Sequence, residues 1–333
     1  MRSRAAETPQ TISPRRAPAM SELLASPELS GPIAITGATG FVGRALTLRL
    51  VRAGVVVRAL VRRADADLPE EVERVRGDLE SPAALEHLVA GTSLVVHCAG
   101  TVRGIDRNAF DQVNVAGTRE LLARIGQAYP GVRLIHLSSL AARSPELSDY
   151  AASKRASEAL YGGDTRCRWT LLRPTAIYGP GDRELAPLFD SMARGWAPRI
   201  TVVGARLTLI HIDDVVDAIL AAATHSECVD GCFELADARN DGYDWAELCA
   251  AVSALRQRRV REVPIPPRLL TGLGWINVGL ARLLRYAPML SPGKARELTH
   301  SDWSCDTEPF RRASGWTPQI DLPTGLASVL GPG

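Results

Sequence analysis

Three glycines at a fixed spacing follow the first apolar run of this 333-residue chain. The segment Gly37-Ala-Thr-Gly40-Phe-Val-Gly43 comes directly after a strand-like run at 32–36, and apolar residues then recur at helical intervals over 41–52. Such glycines allow a tight turn, a close approach of the backbone to a ligand and close packing of helix on strand. The amino end of the helix adds N–H donors for phosphate. The pattern predicts a loop that binds the pyrophosphate of a dinucleotide through Gly37, Thr39, Gly40, Phe41, Val42 and Gly43.

Short β-rich runs alternate with helical stretches beyond this loop. Strands that alternate with helices of about 10 to 20 residues form βαβ units, and these build a parallel sheet covered by helices on both faces. The sequence therefore predicts an α/β fold with a doubly wound parallel sheet and a smaller C-terminal lobe.

The alternation loosens after residue 178, where prolines become frequent. We expect a dinucleotide-binding domain at 31–178 and mainly a substrate-binding lobe at 179–333. Two later strand-like runs, near 200–212 and at 231–235, are expected to return to the dinucleotide-binding domain. Residues 1–30 are rich in Pro, Ser and Ala without periodicity, so we expect a disordered extension.

The composition excludes several classes of protein. The chain is 46% hydrophobic and 23% charged, as in ordinary globular proteins. A formal net charge of +2 provides no basic field for nucleic acid, so we expect no such partner. Six cysteines in a chain of this length indicate reduced thiols in a cytoplasmic protein, and their spacing does not suit a zinc site, so no metal is expected. No secretory signal precedes Met20, which is an alternative start.

One uncharged stretch runs from Leu269 to Ala281 and is followed by Arg282 and Arg285. It falls short of the roughly 18 apolar residues that a spanning helix needs, so no transmembrane span is predicted. Two interpretations stay open. The stretch is either a helix packed on its own domain or a face for a membrane surface or a lipophilic substrate.

The end of the second predicted strand, at 55–60, indicates which dinucleotide binds. An acidic residue there, about 20 residues beyond the loop, binds the ribose 2′-hydroxyl of NAD, whereas arginine suits the 2′-phosphate of NADP. This chain has Arg62 and Arg63, with no carboxylate before Asp65. We expect these arginines to bind the 2′-phosphate, with NADP preferred and NAD as the alternative cofactor. The other interpretation is that both side chains are only solvated.

Tyr150 and Lys154 are four residues apart and so lie on one face of a predicted helix. An ammonium near a phenol favours the phenolate, so we expect Lys154 to lower the pKa of Tyr150 from about 10 towards neutral. Tyr150 could then act as a general acid or base for an alcohol/carbonyl pair. Ser139 ends the fifth predicted strand and could hydrogen-bond the same oxygen, with Ser138 as the neighbouring alternative.

These motifs, in this order, resemble the extended branch of the short-chain dehydrogenase/reductase superfamily, the NAD-dependent epimerase/dehydratase family. The resemblance covers roughly residues 32–330. It rests on the glycine loop and on a series of further segments: Gly77-Asp78-Leu79, His97-Cys-Ala-Gly100, Asn114-Val-Ala-Gly-Thr118, Leu137-Ser-Ser139, Tyr150 to Lys154, Arg173-Pro-Thr-Ala-Ile-Tyr-Gly-Pro-Gly181, His211-Ile-Asp-Asp214 and Gly315-Trp-Thr-Pro318.

The resemblance implies a Rossmann fold and a role for each matching residue. Ser139, Tyr150 and Lys154 are implied as the catalytic group, with Lys154 also on the nicotinamide ribose. Asn114 is implied to support the active-site helix and a proton-relay water. Six further cofactor contacts are implied, four around the adenine, ribose and phosphates and two facing the nicotinamide: Asp78, Leu79, Ala99, Gly100, Pro174 and Ile177.

Three functions are compatible with these motifs. The first is an NADP-dependent reductase of a lipophilic carbonyl or alcohol, similar to dihydroflavonol reductases and 3β-hydroxysteroid dehydrogenases. The second is a sugar-nucleotide epimerase or dehydratase, which usually carries an arginine before the His-x-x-Asp strand. Here Arg206 is one residue out of register. The third is a non-catalytic nucleotide-binding subunit. The family also implies a homodimer formed by helices near 107–128 and 150–161.

Overall fold

The computed structural model describes residues 31–162, 165–200, 202 and 204–331, so the extension predicted at 1–30 lies outside the described residues. Strand-like runs of β-branched and apolar residues become strands in the order that the sequence predicts. The strands are β1 (Ile33–Thr36), β2 (Val57–Val61), β3 (Glu73–Arg76), β4 (Leu94–His97), β5 (Arg133–Leu137), β6 (Arg168–Pro174), β7 (Ala176–Tyr178), β8 (Trp196–Ile200), β9 (Leu209–His211), β10 (Gly231–Leu235) and β11 (Arg261–Ile265).

Seven of these strands form one sheet in the order β3-β2-β1-β4-β5-β6-β10. Each neighbouring pair is parallel. The strand order reverses direction at β1 and β4, and in sheets of this kind the crevice beyond the carboxyl ends at that point receives the ligand. The doubly wound parallel sheet predicted from the alternating pattern is confirmed.

Helices cover the sheet on both sides because its strands are apolar on both faces. In β1, Ile33 and Ile35 belong to one buried cluster, and Ala34 belongs to the other. The helices are Phe41–Arg52, Pro82–Val89, Arg107–Asp111, Gly117–Ala128, Asp149–Glu158, Ala186–Ala193, Ile212–Thr224, Trp245–Arg256, Pro267–Leu284, Pro292–Thr299, Glu308–Ser314 and Leu322–Leu330. We call Asp149–Glu158 the active-site helix and Pro267–Leu284 the outer helix.

The later strands do not all join the large sheet. The run at 231–235 does return to the large sheet, as β10 beside β6. The run near 200–212 does not join the large sheet, because β9 pairs with β7 and β8 pairs with β11 in two small sheets. A strand-like pattern shows which faces of a segment are buried but does not say which neighbour it pairs with.

Two side chains at the start of helix Ile212–Thr224, the imidazole of His211 and the carboxylate of Asp214, connect the C-terminal segment to the rest of the fold. Asp214 accepts hydrogen bonds from the backbone N–H groups of Gln319 and Ile320, at 2.8 and 3.1 Å. The ring of His211 contacts Ser328 Oγ at 3.1 Å. Both side chains are buried, so the His211-Ile-Asp-Asp214 segment has a packing role in the structure.

Three expectations from composition can be compared with the structure. All six cysteines are free. Within the described residues, no group of His, Cys, Asp or Glu is arranged to hold a metal ion. In the same part of the chain, no helix has both the length and the apolar character needed to cross a bilayer.

Candidate active site

The glycine loop joins β1 to helix Phe41–Arg52 at the carboxyl edge of the sheet. Gly37 has a φ of +72°, and a Cβ there would lie 2.6 Å from the backbone N of Ala99. A Cβ on Gly43 would lie 2.2 Å from the carbonyl oxygen of Gly37. Only glycine fits either position, which explains two of the three glycines by close backbone packing. Gly40 is the N-cap and gives no side-chain hydrogen bond to the first turn, so the helix end is left for a ligand.

The loop forms one side of a large cavity of about 1900 Å³. Most of the residues predicted from sequence meet there. Besides the six loop residues, the lining includes Gly100, Ser139, Tyr150, Lys154, Pro174 and Ile177. The C-terminal part of the chain contributes apolar side chains to the same space, among them Leu270, Val278 and Met289. The cavity thus brings the phosphate loop, the polar group and an apolar surface together.

Tyr150 lies in the first turn of the active-site helix, which Ser148 caps by accepting the N–H of Ala151 at 2.9 Å. Its pKa is raised to about 12, chiefly because burial disfavours the phenolate, while a hydrogen bond with Ser139 lowers it. Glu297 and Glu184 raise it further. The expectation that Lys154 lowers this pKa towards neutral is therefore wrong for this structure. The phenol is protonated at neutral pH, which is the form of a proton donor.

The ammonium group of Lys154 is engaged by the backbone at the end of β5. Its side chain is buried, and Nζ donates a hydrogen bond to the carbonyl oxygen of Leu137 at 2.9 Å. Burial lowers the pKa of Lys154 to about 8, and the nearby Glu158 carboxylate opposes the shift. Lys154 is therefore a buried cation at the end of β5, and its charge is sensitive to mildly alkaline pH.

Glu158 is a buried residue that the sequence reading missed. It accepts a hydrogen bond from Ser138 Oγ at 2.6 Å and a two-pronged pair from Arg173 at 2.8 and 2.6 Å. This network occupies the hydroxyl of Ser138. Both serines line the cavity, but it is Ser139 that hydrogen-bonds with Tyr150, and its Oγ also accepts from the N–H of Ala141 at 3.2 Å. Glu158 lies one helical turn beyond Lys154, and this spacing could have identified it from the sequence. Arg173 lies on β6, so its ion pair with Glu158 could not be predicted from the sequence.

Asn114 is buried in a π-helical turn, Gln112–Ala116, that interrupts the long helix predicted at 107–128. Its Nδ2 donates to the carbonyl of Thr101 at 3.1 Å and to Ser153 Oγ at 2.9 Å. Its Oδ1 accepts from the N–H of Thr101 at 2.8 Å. The extra residue in the turn points this side chain at the active-site helix, and such turns are frequent at functional sites. Asn114 itself is absent from the cavity lining.

Arg62 and Arg63 follow β2 and are exposed, and neither lines the cavity. Arg63 makes a two-pronged ion pair with Asp65 at 2.8 and 2.6 Å. Arg44, which the sequence reading missed, does line the cavity and pairs with Asp67 at 2.7 Å. Its position directly after Gly43 was the available signal, because it lies in the first turn of the helix on which the phosphates are expected.

The remaining predicted cofactor contacts lie around the cavity rather than on it. Asp78 is exposed, and its Oδ1 accepts from Ser81 Oγ at 2.7 Å. Leu79 is buried and packs against Gly117 so closely that a Cβ on Gly117 would lie 2.6 Å from the Leu79 side chain. Ala99 packs its backbone against Gly37. The structure gives these three residues packing and turn roles, and their cofactor contacts stay predictions.

A hydroxyl in the Arg-Pro-Thr-Ala-Ile-Tyr segment supports a bound nucleotide. Thr175 is buried, lines the cavity between Pro174 and Ile177, and its Oγ1 has no hydrogen-bond partner in the described part of the chain. A buried hydroxyl without a partner is costly unless a ligand satisfies it. Together with the glycine cradle, Thr175 shows that the residues present suit a nicotinamide dinucleotide.

A contact from the C-terminal part holds the active-site helix at its amino end. The Glu297 carboxylate is buried and accepts a short hydrogen bond from Ser148 Oγ, while Lys294 Nζ lies 3.0 Å from it. Gly293 permits this approach, because a Cβ there would lie 2.8 Å from Ser148 Cβ. The position of Tyr150 therefore depends on helix Pro292–Thr299 as well as on the sheet.

Comparison with known proteins agrees with this geometry. A family model for the NAD dependent epimerase/dehydratase family matches residues 33–231. A ceramide reductase of Caulobacter vibrioides is 38% identical over 307 residues, which cover 90% of this chain and 93% of the relative. A 2-alkyl-3-oxoalkanoate reductase of Stenotrophomonas maltophilia is 30% identical over 329 residues, covering 88% and 97%. The chain belongs to the NAD-dependent epimerase/dehydratase family of extended short-chain dehydrogenases/reductases.

Solved structures show the same fold. MoeE5 in complex with UDP-glucuronic acid and NAD superposes with a TM-score of 0.67 at 22% identity, covering 90% of this chain and 97% of that one. A UDP-glucose 4-epimerase of Thermotoga maritima gives 0.68 at 18% identity over 90% and 97%. The chain is thus an NAD(P)-dependent oxidoreductase or epimerase by family, with a Rossmann fold.

Proposed function

We propose that this enzyme is an NADP-dependent reductase that interconverts a ketone and an alcohol on a lipophilic substrate. One observation carries the proposal. Ser139, Tyr150 and Lys154 line a cavity that also has apolar walls from Leu270 and Val278. Cavities with apolar walls and a few converging polar groups are typical of small-molecule sites, and this one suits a hydrocarbon substrate with a single reacting oxygen.

The residues divide the proton chemistry between them. A nicotinamide bound in the cavity would supply a hydride to the carbonyl carbon. Tyr150, protonated at neutral pH, donates its proton to the carbonyl oxygen, and Ser139 donates a hydrogen bond to the same oxygen. Lys154 stabilises the phenolate that is left and holds the nicotinamide ribose. Asn114 braces the active-site helix through Ser153 and supports the water that returns a proton.

The cofactor proposal rests on the basic residues beside the loop. Arg62 and Arg63 stand at the end of β2, where a 2′-phosphate would lie, and Arg44 adds a third guanidinium at the cavity. Because Arg63 is engaged by Asp65, we assign the larger share of phosphate recognition to Arg62. NADP is the preferred cofactor in this proposal, and NAD binds more weakly.

The relatives support a lipid-like substrate. Both of the relatives described above are reductases by name, and the names ceramide and 2-alkyl-3-oxoalkanoate denote molecules with long hydrocarbon chains. We therefore propose a ketone on an acyl-bearing molecule as the substrate class of this chain.

The sugar-nucleotide alternative needs a cation free to hold a diphosphate. Arg206 lines the cavity, but its Nη1 lies 3.2 Å from the Glu247 carboxylate. That carboxylate also binds Arg239 and caps the following helix through the N–H of Asp244, at 2.8 Å. Arg206 is thus already engaged by Glu247, and this pairing at the position expected for a diphosphate anchor favours the reductase. The non-catalytic alternative is disfavoured because the three catalytic side chains meet at one cavity.

The test compares the amount of NADPH consumed with the amount of product formed. We would incubate the enzyme with NADPH and a panel of oxo-acyl lipids and UDP-sugars, following the reduced-nicotinamide absorbance and quantifying product by mass spectrometry. One NADPH consumed per alcohol formed from an oxo lipid is the expected result. Conversion of a UDP-sugar without net NADPH consumption would show an epimerase, and no conversion of any compound would favour the non-catalytic subunit.

A homodimer through the helices near 107–128 and 150–161 remains part of this proposal. Leu121 and Ile125 are fully buried against the chain's own sheet, whereas Leu122 and Leu160 are only half-buried and could face a partner. Light scattering on the purified chain measures this directly, and a Leu122→Glu variant should yield monomers.

A further inference from the structure

The outer helix carries an apolar stripe that the described part of the chain leaves exposed. Leu269, Leu273, Ile276, Leu280 and Leu283 are between 45% and 77% exposed. At 3.6 residues per turn, these five positions fall within about 80° of one another around the helix. We call them the outer stripe. A contiguous exposed apolar surface of this kind marks a site of interaction.

The opposite face of this helix is fixed to the domain. Leu270, Gly274, Val278 and Ala281 are buried. The backbone of Gly274 approaches the turn before Pro292–Thr299 so closely that a Cβ would lie 2.8 Å from the carbonyl carbon of Ser291. Beyond it, Asn277 Nδ2 donates to the carbonyl of Leu290 at 2.8 Å. The helix is therefore held with the outer stripe facing away from the protein.

The charged residues of the segment that contains the outer stripe are all basic. Between Glu262 and Glu297 the sequence contains no acidic residue. Arg268, Arg282 and Arg285 have no carboxylate partner within the described residues. An apolar helix face bordered by unpaired arginines is complementary to a bilayer that contains anionic lipids.

One flank of the helix connects the outer stripe to the active site. Arg268, Trp275 and Arg282 are spaced by seven residues and so share that flank. Trp275 is 62% exposed, and both Trp275 and Arg282 line the cavity. Tryptophan and arginine are the side chains that favour the boundary between headgroups and acyl chains. The flank would place the cavity mouth at that boundary.

We propose that the outer helix docks the enzyme on an anionic lipid bilayer, with the outer stripe among the acyl chains, and that a lipid substrate enters the cavity along the flank of Trp275. The docking stands on the surface alone, whereas the entry of substrate rests on the proposed reductase function. A second copy of the chain is a poorer occupant. A symmetric contact of two outer helices would bring their arginines together without carboxylates to pair them.

The test is co-sedimentation of the full chain with vesicles of phosphatidylcholine alone or mixed with phosphatidylglycerol. Ile276→Glu places a charge on the outer stripe, and Val56→Glu is the matched control, since the two side chains are 61% and 57% exposed and neither lines the cavity. We expect the native chain and Val56→Glu to bind mixed vesicles equally, and Ile276→Glu to bind at least about tenfold more weakly. Arg268→Glu should weaken binding to mixed vesicles only.

Two further measurements separate the possible failures. NADPH turnover on a short-chain, water-soluble oxo ester without vesicles should be equal in the native chain, Ile276→Glu and Val56→Glu. Absence of that turnover in all three would refute the reductase proposal and the entry route, while the sedimentation result would still decide the docking. The docking is overturned if the native chain does not bind mixed vesicles or if Ile276→Glu binds like native. A dimer in light scattering that Ile276→Glu dissociates would also overturn it, by showing a second copy on this face.

Discussion

The nucleotide-binding half and the C-terminal half place their apolar side chains differently. Of the fifteen large apolar side chains that are exposed in the described residues, three lie before residue 178 and twelve lie beyond residue 195. The first half uses its apolar residues to cover both faces of a sheet, so their positions follow from strand and helix periodicity. The second half turns many of them towards the cavity and the outside. We infer that the placement of apolar side chains serves packing in the first half and ligand or surface binding in the second.

We expect the largest effect on cofactor binding from a substitution in the glycine loop. Gly40→Val adds a branched side chain at the N-cap, where phosphate must approach the backbone. Even the Cβ of that side chain would lie 3.2 Å from the carbonyl oxygen of Gly37. We expect NADPH affinity, measured by calorimetry, to fall by more than about 100-fold with the fold retained. Gly272→Val in the outer helix is the control, because nothing lies within 4 Å of its Cβ. Equal losses in both variants would refute the loop assignment.

A smaller effect is expected from the arginines at the end of β2. Arg62→Ala removes a guanidinium placed for the 2′-phosphate, so the preference for NADPH over NADH should fall by about tenfold, or about 1.4 kcal/mol. Arg63→Ala should lose less, because Asp65 already engages that side chain. Arg52→Ala, an exposed arginine at the far end of helix Phe41–Arg52, serves as control. Equal affinity of the native enzyme for both nucleotides would contradict the NADP assignment.

The smallest effect is a pH dependence from Lys154. Its pKa of about 8 means that the ammonium is present below pH 8 and is lost as the pH rises through that value, whereas Tyr150, with a pKa of about 12, stays protonated. Reductive kcat/KM should therefore be flat below neutral pH, halve near pH 8 and decline above it. Lys154→Arg keeps its charge and should remove this decline, although at a lower rate. Lys294→Arg, at the cavity edge, should retain it. An unchanged decline in Lys154→Arg would assign the titration to another group.

Sequence reasoning worked best where local pattern determines structure. The glycine loop and the strands from β1 to β6 depend on turn geometry and alternation, which are visible over a few residues. The pairing of β9 with β7 was missed because it depends on which strand edge is free after the chain has folded. The number and spacing of apolar residues in the outer helix were visible, but their outward direction was not.

The same division applies within the active site. Tyr150 and Lys154 could be paired from their spacing because both belong to one helix. The raised pKa of Tyr150 could not be foreseen, since burial and the carboxylates of Glu297 and Glu184 come from segments far away in sequence. Glu158 became recognisable only when Arg173 and Ser138 were placed beside it.

Single-turnover reduction of an oxo-acyl lipid by enzyme saturated with NADPH tests most directly whether Tyr150 protonates the substrate. The experiment compares Tyr150→Phe with Tyr129→Phe. Tyr150→Phe keeps the ring that packs near Phe110, at 6.1 Å between centroids, but removes the proton donor. Tyr129→Phe removes a phenol outside the cavity. We predict that the rate falls by about 10²-fold or more in Tyr150→Phe, with NADPH affinity nearly unchanged, and that Tyr129→Phe reacts like the native enzyme. A near-native rate in Tyr150→Phe would contradict the central claim that this phenol protonates the substrate.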